Sequence, residues 1–125
     1  MTEPTARGLD AVLAASRAGI HRLTPRELVE ARGALVVDTR TEAQRRRQGE
    51  LPGAVVIDRT VLEWRLDPAS DARLPIAAYD LHVIVCCQDG YASSLAAAFL
   101  QDLGVTCATD VGGGQTAWSR LTGDR

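Results

Sequence analysis

A cysteine at the end of an apolar run is the residue of this chain with the clearest chemical potential. The run Val83-Ile84-Val85 ends in Cys86 and Cys87, and a polar loop with one glycine then leads into an alanine-rich helical pattern. Loop N–H groups and the positive end of a helix dipole both favour a thiolate over a thiol. The spacing therefore predicts that Cys87 is a reactive nucleophile.

The loop over 87–92 and the first residue of the helix after it are predicted to hold that thiolate. A free thiol has a pKa of about 8.5 and is only a few per cent ionised at pH 7, so attack on sulfur needs donors around the anion. We expect backbone N–H groups of the loop to supply them, Gly90 to provide a positive φ, and Ser93 to cap the helix and donate its hydroxyl into the same cradle. The predicted substrate-binding residues of the loop are Gln88, Asp89, Gly90, Tyr91, Ala92 and Ser93.

The other two cysteines are predicted to be structural. In a regular strand Cys86 points to the face opposite Cys87, and we interpret it as core filler, with a resolving or redox role left open. Cys107 falls inside a predicted strand and is interpreted as core filler too. The cysteines and histidines show no CxxC or HxxxH spacing, so no metal site is expected.

Strand patterns alternate with helical patterns along the chain, and this order predicts a parallel sheet with helices on both faces. Residues 1–19 are predicted to be an N-terminal helical extension, with the helix at 7–18, and residues 20–125 the domain itself. The segment 59–68 follows no single period and is interpreted as irregular or as a short helix. Strands are expected at 20–23, 34–38, 54–58, 81–86 and 105–111, and the main helices at 24–33, 42–48, 93–103 and after 112–114.

Three polar residues lie at the carboxyl ends of predicted strands. These are Asp38, Asp58 and Cys87. In an open parallel sheet, sites form beyond the carboxyl ends of the strands. We therefore expect these three residues to converge on one crevice.

Composition excludes several classes of protein. The chain has 125 residues, of which 46% are hydrophobic and 24% charged, as in a single soluble domain. A net charge of −2 argues against nucleic-acid binding. No run approaches the roughly 20 apolar residues of a membrane span and no secretory signal is visible, so we expect a cytoplasmic protein with reduced thiols. Alanine and arginine usage indicates a bacterial source.

Four motifs occur in an informative order. The first strand motif ends in DTR at 38–40, GELPGA follows at 49–54, CQDGYAS at 87–93, and GGGQTAW at 112–118. Together they resemble the D-x-R, G-H-I-P-G-A, C-x-x-G-x-R-S and G-G-x-x-x-W motifs of the rhodanese-like (sulfurtransferase) family. The resemblance covers roughly residues 20–122. The triple glycine is interpreted as a site of close packing for the last helix, because it lacks a phosphate-binding pattern.

The resemblance implies a three-layer α/β/α fold whose five-stranded parallel sheet has the strand order 3-2-4-5-1. It places Cys87 at the position of the nucleophile, which takes a sulfane sulfur from a small donor, becomes a persulfide, and passes the outer sulfur to a thiol or cyanide-like acceptor. It further implies that Asp38 supports the loop and pairs with Arg40. No cofactor is expected.

The chain departs from the family motif inside the loop. Members that take thiosulfate usually carry an arginine or lysine where this chain has Ala92, and Asp89 adds a negative charge. We therefore expect a persulfide or another small donor instead of thiosulfate, with Arg59 and Arg65 as candidates for the missing cation. Trp64 lies where the wall of the substrate pocket is expected, so both packing and substrate contact stay open for it.

Two other functions are weighed against sulfur transfer. The first is a non-catalytic binding or regulatory module of the same fold, which an acidic loop without a cation favours. The second is a cysteine phosphatase, which needs a longer loop and an arginine that clamps phosphate with two hydrogen bonds. Neither feature is present between Cys87 and Ser94, so the sequence favours sulfur transfer.

Overall fold

The computed structural model describes residues 6–123, which form a four-stranded parallel sheet with helices on both faces. The strands are β1 Leu35–Asp38, β2 Val55–Val56, β3 Val83–Cys86 and β4 Thr109–Asp110, in the spatial order β2-β1-β3-β4. The helices are α1 Gly8–Ala18, α2 Pro25–Glu30, α3 Glu42–Gln48, α4 Leu62–Leu66, α5 Ala92–Asp102 and α6 Gly114–Thr122, with a 3-10 turn over Arg59–Val61.

Strand β3 is the centre of the sheet, and its side chains alternate between two apolar cores. Val83 and Val85 belong to the core formed with α4 and α5, whereas Ile84 and Cys86 belong to the core that contains Trp118 of α6. All four β3 side chains are buried, as expected for a parallel strand covered on both faces. The predicted three-layer α/β/α class is therefore confirmed.

The number of strands is four within residues 6–123, not the five that were expected. The first predicted strand contributes only a single parallel bridge, Leu23 to Val111, beside β4. It is short because Gly19 ends the turn after α1 and Thr24 already caps α2, which leaves Leu23 alone to pair. Its position beside β4 still agrees with the expected order 3-2-4-5-1.

The last strand is also shorter than expected, and this corrects the interpretation of Cys107. Only Thr109–Asp110 pair with β3, because residues 105–108 form a turn in which the Ala108 N–H donates to the Val105 carbonyl at 3.3 Å. Cys107 lies in this turn and is exposed, so it is not core filler.

Two helices begin at reciprocal caps that the sequence encodes locally. Thr24 Oγ1 accepts from the Glu27 N–H at 3.1 Å while the Glu27 carboxylate accepts from the Thr24 N–H at 2.9 Å, and Thr41 and Gln44 make the same pair of bonds at the start of α3. Each cap satisfies N–H groups that the first helical turn leaves unpaired. The cap at α3 fixes the direction in which the chain leaves β1, at the edge of the sheet where the cysteine loop lies.

Candidate active site

Cys87 follows β3 directly, and its sulfur lies inside a loop of inward-pointing amides. Cys87 Sγ accepts hydrogen bonds from the backbone N–H groups of Gly90 at 3.2 Å and Ser93 at 3.4 Å. The residue is 8% exposed, so the sulfur is sheltered but not sealed. The residues around it enclose a cavity of about 220 Å³, called here the cysteine pocket, which is lined by Thr39, Gln44, Arg59, Cys87, Gln88, Asp89, Tyr91 and Ala92.

Gly90 is required by the curl of the loop. Its φ is +86°, and a Cβ at this position would stand 2.7 Å from the backbone nitrogen of Gly113. Only glycine meets both conditions without strain or a clash. The positive φ that was predicted at Gly90 is therefore confirmed.

The glycine-rich start of α6 packs directly on the cysteine loop. The Gln115 N–H donates to the Cys87 carbonyl at 2.9 Å and the Thr116 N–H to the Gln88 carbonyl at 3.0 Å. A Cβ on Gly114 would lie only 2.4 Å from the Cys87 carbonyl oxygen. This confirms close packing as the role of the triple glycine, and it uses the free N–H groups at a helix start as donors to the loop.

A buried carboxylate lies behind the loop. Asp110 Oδ2 accepts from the hydroxyls of Ser93 and Ser94, each at 2.8 Å. Arg22 Nε donates to Asp110 Oδ1 at 2.8 Å, and Arg22 Nη2 also donates to the Gly90 carbonyl at 2.8 Å. Asp110 therefore joins the end of β4, the start of α5 and the segment before α2 at the cysteine loop.

Helix α1 packs on α5 and brings a second arginine to the same carbonyl. Arg17 Nη2 donates to the Gly90 carbonyl at 2.8 Å and Arg17 Nε to Ser94 Oγ at 3.0 Å, while its guanidinium lies 5.4 Å from the centre of the Tyr91 ring. Because C=O and N–H point in opposite directions across a trans peptide, this arrangement turns the Tyr91 N–H away from the two arginines. Among the described residues, that N–H has no acceptor.

The structure places the predicted site residues unevenly. The loop residues and Arg59 line or form the pocket, but Arg59 Nη1 is already bound to both oxygens of Glu63, at 2.9 and 2.8 Å. Arg65 does not line the pocket and donates to the Ala72 carbonyl instead. Asp58 is exposed and caps the 3-10 turn, where hydrogen bonds from Thr60 lower the pKa of its carboxyl.

The roles expected for Ser93 are only partly met. Its backbone N–H does reach the sulfur, but its hydroxyl points to Asp110 and not into the cradle. It does not cap α5 either, because that helix begins at Ala92 after Tyr91, which makes no side-chain cap. The hydroxyl is drawn away because the buried Asp110 carboxylate is a strong, charged hydrogen-bond acceptor.

Asp38 and Arg40 form a fully buried ion pair at the end of β1. Arg40 Nη2 lies 2.8 Å from Asp38 Oδ2, with 0% and 1% of the two side chains exposed. The Arg40 N–H also donates to Asp38 Oδ1 at 3.0 Å, so the pair holds the turn between β1 and α3, and Arg40 Nη2 ties this turn to the end of α3 by donating to the Gly49 carbonyl at 2.9 Å. It meets the cysteine segment through the strand register, in which Asp38 pairs with Cys86. The predicted pairing is present, and support of the loop by this pair stays a prediction.

Cys86 is the buried member of the cysteine pair. It is 0% exposed, and burial raises the pKa of its thiol to about 12, with the Asp38 carboxylate adding to the effect. A thiol in this state is neutral at ordinary pH and behaves as an apolar side chain. The interpretation as core filler is confirmed.

Neither a metal centre nor a membrane segment occurs within residues 6–123. Over this range no three His, Cys, Asp or Glu side chains come together in a way that could hold a metal ion. None of the helices in the same range combines the length and the apolar character that crossing a bilayer requires.

Sequence reasoning missed three residues that hold the loop. Asp110 could have been predicted, because it ends a strand as Asp38 does, and sites in open parallel sheets form at the carboxyl ends of strands. Arg17 and Arg22 carried none, since they lie 73 and 68 residues before Gly90 and belong to no motif.

This fold and site define an α/β protein that presents a thiol in an amide-lined loop at the carboxyl edge of a parallel sheet. The family model for the rhodanese-like domain matches residues 24–121, so the chain belongs to the rhodanese-like family. The match includes all four strands and the cysteine loop, and it begins after Arg17 and Arg22. No curated protein matches the chain.

Several solved structures share the fold. RPA3614 from Rhodopseudomonas palustris, a protein of unknown function described as a possible tyrosine phosphatase, is 31% identical with a TM-score of 0.83, over 100% of this chain and 98% of that one. The human single-domain sulfurtransferase TSTD1 is 23% identical with a TM-score of 0.64, over 79% of this chain and 95% of that one. A NAD-dependent persulfide reductase from A. fulgidus is 20% identical with a TM-score of 0.60, over 87% of this chain but 18% of that one. The last two likenesses show the fold alone.

Proposed function

We propose that this protein is a sulfurtransferase that carries a sulfane sulfur as a persulfide on Cys87. The observation that carries the proposal is the pair of backbone N–H groups, from Gly90 and Ser93, that donate to Cys87 Sγ at the rim of an open pocket. Donors held in place before the reaction stabilise negative charge on sulfur without having to reorganise. All three cysteines are free thiols, which fits the reducing cytoplasm as the compartment.

The reaction needs only sulfur chemistry. The Cys87 thiolate attacks the outer sulfur of a donor R–S–SH, the S–S bond of the donor breaks, and its electron pair leaves with the thiolate RS⁻. The outer sulfur keeps its proton, so the product is the hydropersulfide Cys87–S–SH. An acceptor thiolate or cyanide then attacks this outer sulfur, the S–S bond breaks, and Cys87 leaves as a thiolate. Electrons balance within each step, so the chemistry requires no external oxidant, reductant or cofactor. The Tyr91 N–H has no hydrogen-bond acceptor among the described residues. It is therefore available to donate to the outer sulfur of the Cys87 persulfide.

The charges around the pocket favour a persulfide over thiosulfate as donor. Asp89 lines the pocket, and Arg59, the only cation among the described lining residues, is bound to Glu63. A dianion entering this pocket meets a carboxylate and no free cation. A hydropersulfide carries at most one negative charge on the reacting sulfur and is opposed less strongly.

Mass spectrometry on Cys87 tests the proposal. After incubation with a hydropersulfide donor, we expect the peptide that contains Cys87 to gain the mass of one sulfur atom, and we expect Cys87→Ser to abolish both this gain and transfer to a thiol. Cys107→Ser is the matched control, because Cys107 is an exposed thiol outside the pocket and its loss leaves transfer unchanged. Sulfur transfer that persists in Cys87→Ser would contradict the proposal. If no donor loads the wild-type protein, the non-catalytic binding module is favoured instead.

A phosphatase is the second candidate, because the 31% identical R. palustris protein is described as a possible tyrosine phosphatase. The loop from Cys87 to Ser94 contains neither arginine nor lysine, and a phosphate dianion would meet Asp89 there. Bidentate binding of phosphate by a guanidinium has no counterpart inside this loop. We expect no hydrolysis of an aryl phosphate above the level of Cys87→Ser, and turnover that depends on Cys87 would instead support the phosphatase.

A further inference from the structure

A second depression adjoins the cysteine pocket between α4 and α5. It has a volume of about 530 Å³ and is called here the aromatic groove. That volume lies within the roughly 300–1,000 Å³ of sites for organic ligands. The lining residues that define it are Trp64, Phe99, Leu103, Arg59, Glu63 and Asp67.

Two aromatic side chains in the groove are left open to solvent. Trp64 on α4 is 61% exposed and Phe99 on α5 is 50% exposed, although both helices contribute other side chains to the core beneath them. Large apolar side chains that line one concave surface mark a binding site more often than single exposed ones do. Packing in the core, one of the two roles left open for Trp64, is therefore wrong, and contact with a substrate stays a prediction.

The groove and the cysteine pocket are neighbours, because Arg59 lines both. Helix α5 links them as well, because Ala92 at its start lines the cysteine pocket and Phe99 lines the groove. Seven residues separate these two positions, which is roughly 10 Å along a helix. A ligand whose body lies in the groove can therefore present a sulfur to Cys87 on an arm of about that length.

The charges along this path select against anions. Glu63 and Asp67 line the groove and Asp89 lines the cysteine pocket, while Arg59 is the single cation among the described residues that line either cavity. Arg59 is already paired with Glu63. The path is therefore acidic overall, and an uncharged or cationic ligand suits it better than an anionic thiol cofactor.

We propose that the aromatic groove binds the organic body of the sulfur donor, and that this donor is a low-molecular-weight hydropersulfide with an uncharged or cationic, ring-bearing apolar body. The transfer step is the one given above: Cys87 attacks the outer sulfur, and the organic thiolate leaves with the electron pair of the broken S–S bond. The choice of donor rests on the proposed function, whereas binding of the organic body is measurable without sulfur transfer.

Binding is tested first, on Cys87→Ser protein, by calorimetry with a neutral naphthyl thiol whose sulfur sits on a flexible arm. We expect saturable binding that weakens about tenfold or more in Trp64→Ala and in Phe99→Ala, because each removes an aromatic contact. Leu9→Ala is the matched control, since Leu9 is an exposed apolar residue, 67% accessible, outside the groove. The same thiol with a carboxylate on its ring is expected to bind about tenfold more weakly, and equal binding would contradict the charge argument.

Transfer is tested second, with hydropersulfides made from the naphthyl thiol and from 2-mercaptoethanol. We expect Trp64→Ala to raise KM for the naphthyl donor about tenfold with little change in kcat, and to leave KM for the small donor unchanged. If wild-type protein transfers sulfur from both donors and Trp64→Ala affects neither, the groove proposal is wrong and the proposed function stands. If no donor loads Cys87 but the naphthyl thiol still binds through Trp64, the proposed function fails and the groove stands as a ligand site.

A second copy of the chain is the other possible occupant of the aromatic groove, and a further experiment tests for it. Sedimentation of the wild-type protein and of Trp64→Ala decides this, with Leu9→Ala again as control. A monomer in both cases supports the ligand site. A dimer that Trp64→Ala converts to a monomer would show that the groove is a self-association face and would overturn the proposal.

Discussion

Two carboxylate–arginine pairs stand at the carboxyl ends of strands on either side of β3, and they are built differently. Asp38 and Arg40 are two residues apart, and both side chains are buried. Asp110 and Arg22 are 88 residues apart, and 24% of the Arg22 side chain is exposed. The first pair holds its own turn, whereas the second reaches the hydroxyls of two loop serines and, through Arg22, the Gly90 carbonyl.

The two pairs are therefore expected to have different roles, the Asp38–Arg40 pair in stability and the Asp110–Arg22 pair in positioning the cysteine loop. An ion pair between near neighbours fixes local geometry, and its burial makes the loss of either partner costly. An ion pair that joins distant segments determines where the cysteine loop stands relative to β4 and α1. We therefore expect changes at Asp38 to act mainly on the free energy of unfolding and changes at Asp110 to act mainly on the rate of persulfide formation.

The largest expected effect is on stability, from Asp38→Asn. This change leaves the Arg40 guanidinium buried without a counter-charge, and we expect the free energy of unfolding to fall by about 3–5 kcal/mol. Denaturant unfolding measures it. Glu42→Gln is the control, since Glu42 and Arg46 form an exposed pair, with side chains 70% and 78% accessible, whose loss is nearly silent. An equal loss of unfolding free energy in Asp38→Asn and Glu42→Gln would contradict the stabilising role of the buried Asp38–Arg40 pair.

The second prediction concerns Asp110→Asn. It removes the anionic acceptor of Ser93 and Ser94, so the loop amides shift relative to the sulfur, and a displacement of about 1 Å can cost roughly 100-fold in rate. We expect the rate of Cys87 persulfide formation, measured by mass spectrometry on protein confirmed as folded, to fall by that order. If Asp38→Asn slows the reaction of folded protein as much as Asp110→Asn does, positioning is not specific to the second pair.

A smaller effect is expected from Arg17→Ala. The change removes two hydrogen bonds, to the Gly90 carbonyl and to Ser94 Oγ, but Gly90 keeps the bond from Arg22 and Ser94 keeps its bond to Asp110. At roughly 1 kcal/mol per bond, persulfide formation should slow by at most about thirtyfold. Arg17→Lys, which keeps a donor and the charge beside Tyr91, should recover part of the rate. Arg46→Ala serves as the surface control. If Arg17→Lys forms the persulfide no faster than Arg17→Ala does, Arg17 acts through packing alone.

The smallest effect near neutral pH is expected from the buried thiol of Cys86, which lies beside Asp38. Because the pKa of Cys86 is raised to about 12, the folded protein keeps a proton that the unfolded chain, with a thiol pKa of about 8.5, releases. The contribution of this thiol to stability is thus fully present below about pH 8.5 and declines as the pH rises towards 12. Alkylation of native protein at pH 8 should modify the exposed Cys107 and spare Cys86, and labelling of Cys86 at a similar rate would show that it is accessible.

The features that the sequence predicts correctly are those set by interactions between residues close together in the chain. The pairing of Asp38 with Arg40 and the turn at Gly90 are both encoded within a few residues, and both were anticipated. The position of Arg17 depends on how α1 lies against α5, and that of Arg22 on how the segment before α2 pairs beside β4. No short-range pattern encodes either contact. Cys107 was misplaced for a related reason, since alternation of apolar residues cannot show that a turn after α5 consumes most of the expected strand.

The two arginines on the Gly90 carbonyl have a consequence for transplanting this loop into another protein. A graft that copied the cysteine segment and the start of α6 would reproduce the curl, but the donors to Gly90 sit 73 and 68 residues upstream, outside the 24–121 span of the family match. The recipient would have to supply one guanidinium group from an outer helix, as Arg17 does, and a second from the segment that follows it, as Arg22 does. Without them the graft would carry the nucleophile but not the external scaffold that orients its peptide planes.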